Sequence, residues 1–252
     1  MPVSELVRLE VSDGVATITL DSPHNRNALS RALVTQLSQA LDDSAADDTA
    51  KVVVLRSSGR VFCSGADMSE AATVGMEEGA RGLIALLRHV VAHPKPVLAV
   101  LAGPVRAGGI GIIGACDVVV AADEATFAFT EARLGLAPAV ISLTTRSRMT
   151  ERAASLTYLS GETFDAVEAA RIGLVTRSVP ADDLETTIDA VVASIARSTG
   201  QGLRETKHLL NAGLLAEIDE HGDDLAAMSA RLFGSDEARD AMRAFLEKRS
   251  SR

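Results

Sequence analysis

Three continuous apolar runs constrain the fold of this chain more than any other feature. "KVVVLRSSG" begins at Lys51, "PVLAVLAG" at Pro96 and "DVVVAAD" at Asp117. Strands that are apolar at every position are typical of a parallel sheet that is covered on both faces. Helical segments alternate with the runs, since leucines recur every fourth residue over 29–41 and a further helix is predicted over about residues 79–92. This alternation predicts an α/β fold with right-handed crossovers.

Both ends of the chain carry further predicted elements. "LVRLEVSDGVATITLDSP" alternates apolar and polar residues on either side of Asp13-Gly14, which predicts a β-hairpin. After Pro180 the sequence predicts four amphipathic helices separated by glycine or polar breaks: "DDLETTIDAVVASIARS", "GLRETKHLLNAGLLAEI", "HGDDLAAMSARLFG" and "SDEARDAMRAFLEKR". We therefore expect a core over residues 1–180 and a helical cover or oligomerisation region over residues 181–252.

Composition and charge exclude several classes of protein. An apolar fraction of 47% over 252 residues is incompatible with a disordered chain. A net charge of −9 argues against binding to nucleic acid or to a membrane surface, because both attract positive charge. No apolar run is long enough for a membrane span. The opening "MPVSELVRLE" lacks a signal-peptide core and the two cysteines are isolated, which together predict a cytoplasmic, reduced protein.

Two glycine-containing loops follow two of the buried runs. In "VFCSGADMSE" small residues allow a sharp turn, and Asp67 can cap a following helix. In "AGGIGIIGACD" the turn at Ala107 opens a predicted helix of about two turns. If the two loops converge, their N–H groups can stabilise a carbonyl oxygen that gains negative charge. Taken alone, each loop is equally consistent with a simple tight turn between a strand and a helix.

Five motifs in register resemble the enoyl-CoA hydratase/isomerase, or crotonase, superfamily. They are "FCSGADMSE", "AGGIGIIGACDVVVAAD", "FTEARLGLAPA", "AARIGLVTRSV" and "MRAFLEKR", and the resemblance runs in order from about residue 5 to residue 250. It implies an α/β fold with a spiral β-β-α core and a helical C-terminal portion. It also implies assembly as homotrimers or dimers of trimers, and an acyl-CoA thioester whose carbonyl is held by the N–H groups of Ala66 and Gly108.

The resemblance bears directly on proton transfer. The two-carboxylate hydratases of the family carry one glutamate at a position that is Gly111 here, and a second that matches Glu131. The apolar residues around Glu131 predict a raised pKa, although without the flanking motif an ordinary surface glutamate is the favoured interpretation. One base can run a 1,3-proton shift, which favours an isomerase.

Three functional interpretations therefore remain open at this point. "TEARLGLAPAVIS" resembles bacterial methylglutaconyl-CoA hydratase-like members, a branch in which glycine can replace the first glutamate, so hydration of a 2-enoyl-CoA comes first. Isomerisation between 3-enoyl and 2-enoyl thioesters follows closely. The third interpretation is a catalytically silent acyl-CoA-binding protein.

The resemblance also predicts a set of substrate-binding residues. Backbone groups of Asn27 to Leu29 would hold the adenine or pantetheine, while Arg26 could meet a phosphate or be an ordinary surface residue. Helices bearing Phe233 and Lys248 can close over the acyl-CoA in the family, often from a neighbouring subunit. The acyl pocket is expected from residues 68–86 and from helices after Pro138. The full predicted set is Arg26, Asn27, Ala28, Leu29, Gly65, Asp67, Met68, Gly109, Gly111, Phe233 and Lys248.

Other chemistries are less consistent with the sequence. Cys63 and Cys116 lie in apolar surroundings, which favours packing over nucleophilic catalysis. The histidines and cysteines lack the spacing of metal ligands, so no metal site is predicted. The glycines of "GGIGIIG" lie inside a predicted helix and not at the turn before it, which argues against a dinucleotide site. No separate cofactor is expected, because coenzyme A would be part of the substrate.

Overall fold

The structure is a computed structural model that describes residues 5–67, 70 and 76–250, with the side chains of 76 and 245–250 excepted. The strands in this part of the chain are β1 (Val7–Ser12), β2 (Val15–Leu20), β3 (Val52–Ser57), β4 (Val97–Leu101), β5 (Val105–Arg106), β6 (Val118–Ala122), β7 (Thr126–Ala128), β8 (Phe164–Asp165) and β9 (Arg177–Val179). The helices are α1 (Arg31–Ala46), α2 (Met76–Ala92), α3 (Gly108–Ala115), α4 (Ala139–Thr145), α5 (Glu151–Ser160), α6 (Ala166–Ile172), α7 (Leu184–Ala196), α8 (Gly200–Phe233) and α9 (Asp236–Ser250).

A six-stranded sheet in the order β1-β2-β3-β4-β6-β9 forms the centre of the fold. Every pair is parallel except β1 and β2, which form the predicted hairpin. Its turn places Asp13 at φ +51° and Gly14 at φ +82°, the left-handed region that this dipeptide tolerates. The hairpin and the mixed α/β class are therefore confirmed.

Both faces of the central strands are covered, as the unbroken apolar runs predict. Val53, Leu55 and Ala99 belong to the larger core, which includes residues of α1, α2 and α3. The alternate residues of the same strands face a second cluster, which α7 closes with Leu184 and Ile188. Burial on both faces explains why these strands show no alternation of apolar and polar residues.

A second, three-stranded sheet in the order β5-β7-β8 was not predicted from the sequence. Its strands contain only two or three residues each, so they carry no recognisable period. β7 leads directly into the segment that contains Glu131.

The C-terminal helices differ from the prediction at one point. "GLRETKHLLNAGLLAEI" and "HGDDLAAMSARLF" form one helix, α8, of 34 residues, so the expected break at His221-Gly222 is wrong. A Cβ at Gly222 would lie only 3.2 Å from Ile84 Cγ2, which shows how closely α8 packs against α2. This packing offsets the low helix propensity of glycine.

Leu29 was predicted to lie on the first helix, and this prediction is wrong. It lies before α1 and not within it, because the helix begins after Ser30, whose side chain accepts a hydrogen bond from the Leu33 N–H. Leu29 instead pairs with Ala66. The division of the chain at residue 180 into a core and a cover stays a prediction. Within the described residues, no helix has both the length and the hydropathy to cross a membrane.

Candidate active site

Two loops that lie far apart in the sequence run side by side. The Phe62 N–H donates to the Pro104 carbonyl at 3.1 Å, and the Arg106 N–H donates to the Cys63 carbonyl at 3.0 Å. A Cβ on Gly65 would lie 2.8 Å from the Cβ of Ala107, so there is room only for glycine at this contact. The loops that the sequence left as separate turns therefore converge.

Each loop presents one backbone N–H without an acceptor among the described residues. Leu29 pairs with Gly65 at 2.8 Å and with Asp67 at 3.4 Å, and this parallel bridge directs the N–H of Ala66 to the opposite side. Gly108 is the first residue of α3, where N–H groups have no partner inside the helix. The site thus offers two backbone donors that are not used by the described part of the chain.

The loop before α3 is conformationally strained. Ala107 has φ +45° and ψ −122°, a conformation that is costly for any residue other than glycine. The next residue, Gly108, could carry a side chain only if Leu29 moved, because its Cβ would lie 2.6 Å from Leu29 Cδ1 and 3.1 Å from Leu83 Cδ2. Such strain is characteristic of functional loops, since the surrounding fold must hold them in place.

Glu131 begins a short 3-10 helix, Glu131–Leu134, after β7. The helix is fixed by a bond from the Leu136 N–H to the Glu131 carbonyl at 2.9 Å and by one from Arg133 Nε to the Ser160 carbonyl at 2.7 Å. The Oε2 atom of Glu131 is buried and has no hydrogen-bond partner among the described groups. Burial raises the pKa of Glu131 from its ordinary value of 4.5 to about 7.

Gly111, at the position of the family's first glutamate, is closely packed against aliphatic side chains. A Cβ on Gly111 would lie 2.8 Å from Ile141 Cγ2 and 3.4 Å from Leu87 Cδ1. The Thr144 hydroxyl donates to the Gly111 carbonyl at 2.8 Å, which ties α4 to α3. This side of the site is therefore aliphatic.

Helix α4 links the position of Gly111 to the segment that precedes Glu131. Ile141 touches Gly111, and one turn later the Thr145 hydroxyl donates to the Ile141 carbonyl at 2.7 Å. Because the Thr145 hydrogen is used in that bond, the Tyr158 hydroxyl at 2.6 Å donates to Thr145. The Tyr158 ring packs 4.7 Å from the ring of Phe129, two residues before Glu131.

The chain is similar in sequence and in fold to known proteins. The family model described as enoyl-CoA hydratase/isomerase matches residues 10–252. The chain belongs to the enoyl-CoA hydratase/isomerase family. The crystal structure of an enoyl-CoA hydratase from Mycobacterium avium is 47% identical with a TM-score of 0.92, and the match covers 98% of each chain. The superfamily and the fold class expected from the sequence are thereby confirmed.

Two further relatives come from other organisms. A Thermus thermophilus protein with the provisional name enoyl-CoA hydratase is 36% identical over 94% of this chain and 96% of its own length. The mevalonyl-coenzyme A hydratase of Aspergillus fumigatus is 31% identical over 93% of this chain and 89% of its own length. Both relatives carry the name of a hydratase, and each matches nearly the whole of this chain.

The side chain of Asn27 makes its hydrogen bonds within the protein. It is buried, accepts from the Ser22 N–H at 2.7 Å and donates to the carbonyls of Val61 and Phe62 at 3.0 and 3.1 Å. The N–H groups of residues 27, 28 and 29 all donate within the protein. Asn27 thus fixes this loop against the segment Val61-Phe62, which precedes Cys63, and the N–H groups of residues 27–29 are not free for a ligand.

Three further predicted contacts are exposed or half-buried. Arg26 is exposed at φ +59° and has no ion-pair partner among the described residues. Asp67 is half-buried and accepts a hydrogen bond from Asn25 Nδ2 at 3.4 Å. Phe233 is half-buried at the end of α8.

Three predicted residues need a separate account. Gly109 lies in the first turn of α3, where a Cβ would be 2.6 Å from the Cβ of Cys63. Met68 lies outside the described residues. Lys248 belongs to α9, but its side chain is outside the described part of the chain.

The structure adds residues that the sequence reasoning missed. Ile141 contacts the position of Gly111, and Thr145 and Tyr158 are joined by a hydrogen bond between segments that the sequence does not mark as neighbours. No local pattern marks them, since an isoleucine or threonine in a short helix has no distinctive signal. The relevance of Ile141 to the site follows only from its three-dimensional contact with Gly111.

The thiols and the metal-binding groups offer no second site in the described residues. Burial raises the pKa values of Cys63 and Cys116 to about 12, so both remain protonated near neutral pH. Across residues 5–67, 70 and 76–250, no group of three or more His, Cys, Asp or Glu residues could hold a metal ion.

Proposed function

We propose that the protein adds water to the double bond of a 2-enoyl-CoA thioester. Glu131 is the single acid/base, and the N–H groups of Ala66 and Gly108 hold the thioester oxygen. The observation that carries this proposal is the carboxyl group of Glu131, which is buried with an unpartnered oxygen and has a pKa of about 7. A group with this pKa can both take and return a proton near neutral pH.

The proposed reaction balances with one carboxylate. The Glu131 carboxylate takes a proton from water as the water oxygen adds to C3 of the enoyl group. The electron pair of the double bond moves to the thioester oxygen, where the two N–H donors stabilise the enolate. Protonated Glu131 then gives its proton to C2, which yields the 3-hydroxyacyl thioester and restores the carboxylate. The scheme requires no separate cofactor, because coenzyme A is part of the substrate.

The relatives support hydration as the first choice. The Mycobacterium avium structure and the Aspergillus fumigatus relative both carry the name of a hydratase. The name of the second also indicates that a family member of this length acts on a branched acyl group. We therefore include a branched substrate, methylglutaconyl-CoA, in the test.

Isomerisation is the second candidate, and the contact at Gly111 favours it. With Ile141 and Leu87 beside that position, the aliphatic side offers no second group to activate water. Glu131 alone could remove a proton from C2 of a 3-enoyl thioester and return it to C4. The same two N–H donors would stabilise the dienolate.

Product analysis separates the two reactions. Purified protein is incubated with paired 2-enoyl and 3-enoyl CoA thioesters and with methylglutaconyl-CoA in water enriched in oxygen-18. Hydration places the heavy oxygen at C3 of the product, whereas isomerisation moves the double bond without adding oxygen. Heavy oxygen at C3 supports the proposal, and a moved double bond alone supports the isomerase.

A matched pair of variants tests the role of Glu131. Glu131→Gln should lower kcat by roughly 100-fold or more while thioester affinity is retained, since general acid–base catalysis contributes at least this factor. Glu124→Gln makes the same change at an exposed carboxylate in the turn after β6 and should leave kcat unchanged. Binding of the thioesters without turnover by the wild-type protein would overturn the proposal and identify a silent acyl-CoA-binding protein.

We also propose a homotrimer or a dimer of trimers. Large apolar side chains are exposed on three helices, namely Leu156 and Leu159 on α5, Val167 on α6, and Leu209 and Leu210 on α8. Leu159, Leu209 and Leu210 are each at least 75% exposed in a single chain. Such surfaces mark interaction sites when they are grouped on one face.

A further inference from the structure

We infer that Ile141 is the specificity-determining residue that restricts this site to one carboxylate. The inference rests on the proposed function, because it explains why proton transfer is left to Glu131. Position 111 faces the same side of α3 as Gly108, one turn earlier, so a side chain there would project toward the thioester carbonyl. Ile141 occupies the beginning of that path.

The contact leaves no space for a side chain at position 111. Its Cβ would meet Ile141 Cγ2 at 2.8 Å and Ile141 Cβ at 3.2 Å. Rotation about χ1 does not remove the second contact, because the Cβ atom does not move. Rotation is itself restricted for a β-branched residue within a helix. Ile141 is 4% exposed, so it also cannot turn outward into solvent without leaving the core.

Helix α4 cannot easily withdraw to make that space. The Thr144 hydroxyl holds the Gly111 carbonyl at 2.8 Å. One turn further along α3, a Cβ on Gly114 would lie 2.9 Å from both the Thr144 carbonyl oxygen and Thr145 Cγ2. The two helices are therefore in close contact along their length, and a larger residue at 111 requires a smaller one at 141.

The chemical consequence is a site with one polar side. Leu29 and Leu83 contact the position of Gly108, while Leu87 and Ile141 contact that of Gly111. A water molecule on this aliphatic side would lack an acceptor for its proton, and a carboxylate without partners would be strongly destabilised there. Water that adds to the substrate is thus activated by Glu131.

A set of variants at the two positions tests this inference. Gly111→Glu alone should lower both the melting temperature and the rate of hydration. The double variant Gly111→Glu with Ile141→Gly should hydrate a 2-enoyl-CoA at least about tenfold faster than either single variant, because a second acid/base group is then accommodated. Val140→Gly is the control, since Val140 is also buried on α4 but supplies none of the three atoms nearest to a Cβ at position 111. It should not rescue Gly111→Glu.

A smaller substitution at position 111, compared in two backgrounds, tests the inference if the glutamate variants do not fold. Gly111→Ala adds only the Cβ and should lower the melting temperature clearly in the wild-type background but much less in the Ile141→Ala background. Equal tolerance of Gly111→Ala in both backgrounds would overturn the inference. A folded Gly111→Glu, Ile141→Gly protein with no gain over its single variants would overturn it as well.

The two proposals fail in different ways. A wild-type protein that turns over no enoyl thioester contradicts the proposed function, even if the coupling between positions 111 and 141 is found in the melting temperatures. Turnover by the wild-type protein without that coupling leaves the function intact and rejects the role of Ile141.

Discussion

Glu131, the proposed acid/base, also affects the stability of the protein. Its carboxyl group is buried, and its pKa in the folded chain is about 7 instead of 4.5. The folded protein therefore binds this proton more tightly than the unfolded chain does. Stability from this group is complete below pH 4.5 and is lost as the pH rises through about 7.

We predict that Glu131→Gln is more stable than the wild-type protein at pH 8 and equally stable at pH 4.5. A shift of this size corresponds to roughly 3 kcal/mol in the free energy of unfolding, because one pKa unit is about 1.4 kcal/mol. Urea unfolding of both proteins at the two pH values measures the difference. Glu124→Gln is the control and should show no such dependence, and a Glu131→Gln protein that is less stable at pH 8 would contradict the prediction.

At the scale of elements, a buried ion pair anchors α8 to the sheet. Lys207 Nζ lies 2.8 Å from Asp117 Oδ2 and is 4% exposed. It also donates to the carbonyls of Val90 and Lys95 at 3.0 and 3.1 Å. Asn211, one turn later, donates to Asp117 Oδ1 at 3.0 Å, so two turns of the helix hold the residue just before β6.

We predict that Lys207→Met lowers the free energy of unfolding by about 3 to 5 kcal/mol, because it leaves the Asp117 carboxylate, which is only 18% exposed, without its cation. Urea unfolding measures the loss, and adding Asp117→Asn should recover part of it. Arg88→Met removes an exposed ion pair between α2 and α8, with Asp219, and serves as the comparison. A Lys207→Met loss no larger than that of Arg88→Met would show that the buried pair does not anchor the helix.

The elements that could be predicted from the sequence are those with local signals. Asp13-Gly14 specifies its hairpin turn, and the continuous valine-rich runs specify strands buried on both faces. The break expected at Gly222 fails because a glycine that lowers helix propensity is also what allows α8 to approach Ile84. That contact joins residues more than a hundred positions apart, and no local pattern reports it.

The residues of the candidate site also differ in whether a local sequence signal predicts them. Glu131, Ala66 and Gly108 could be proposed because they lie in motifs that resemble a family, whereas their catalytic roles stay predictions. Ile141 could not be proposed, since its role depends on a contact between α3 and α4. The buried hydrogen bonds by which the Asn27 side chain holds its own loop could not be proposed either, since they join segments that are more than thirty residues apart.

At the scale of the whole molecule, the exposed leucines on α5 and α8 make the assembly testable. We expect a solution mass of three or six chains by light scattering after size-exclusion chromatography. Leu159→Glu, at a side chain that is 79% exposed, should shift the protein toward smaller species if α5 is part of the interface. A wild-type protein with the mass of one chain would contradict the proposed trimer.

The measurement that tests the central claim most directly is the pH dependence of kcat/KM for hydration of a 2-enoyl-CoA, from about pH 5 to about pH 9. With Glu131 as the only acid/base, kcat/KM should rise with pH as one group ionises and level off, with its midpoint near the pKa of about 7. Glu131→Gln should show no such rise in its residual activity. A wild-type profile without this rise, or the same rise in Glu131→Gln, would contradict the claim that Glu131 carries the proton transfer.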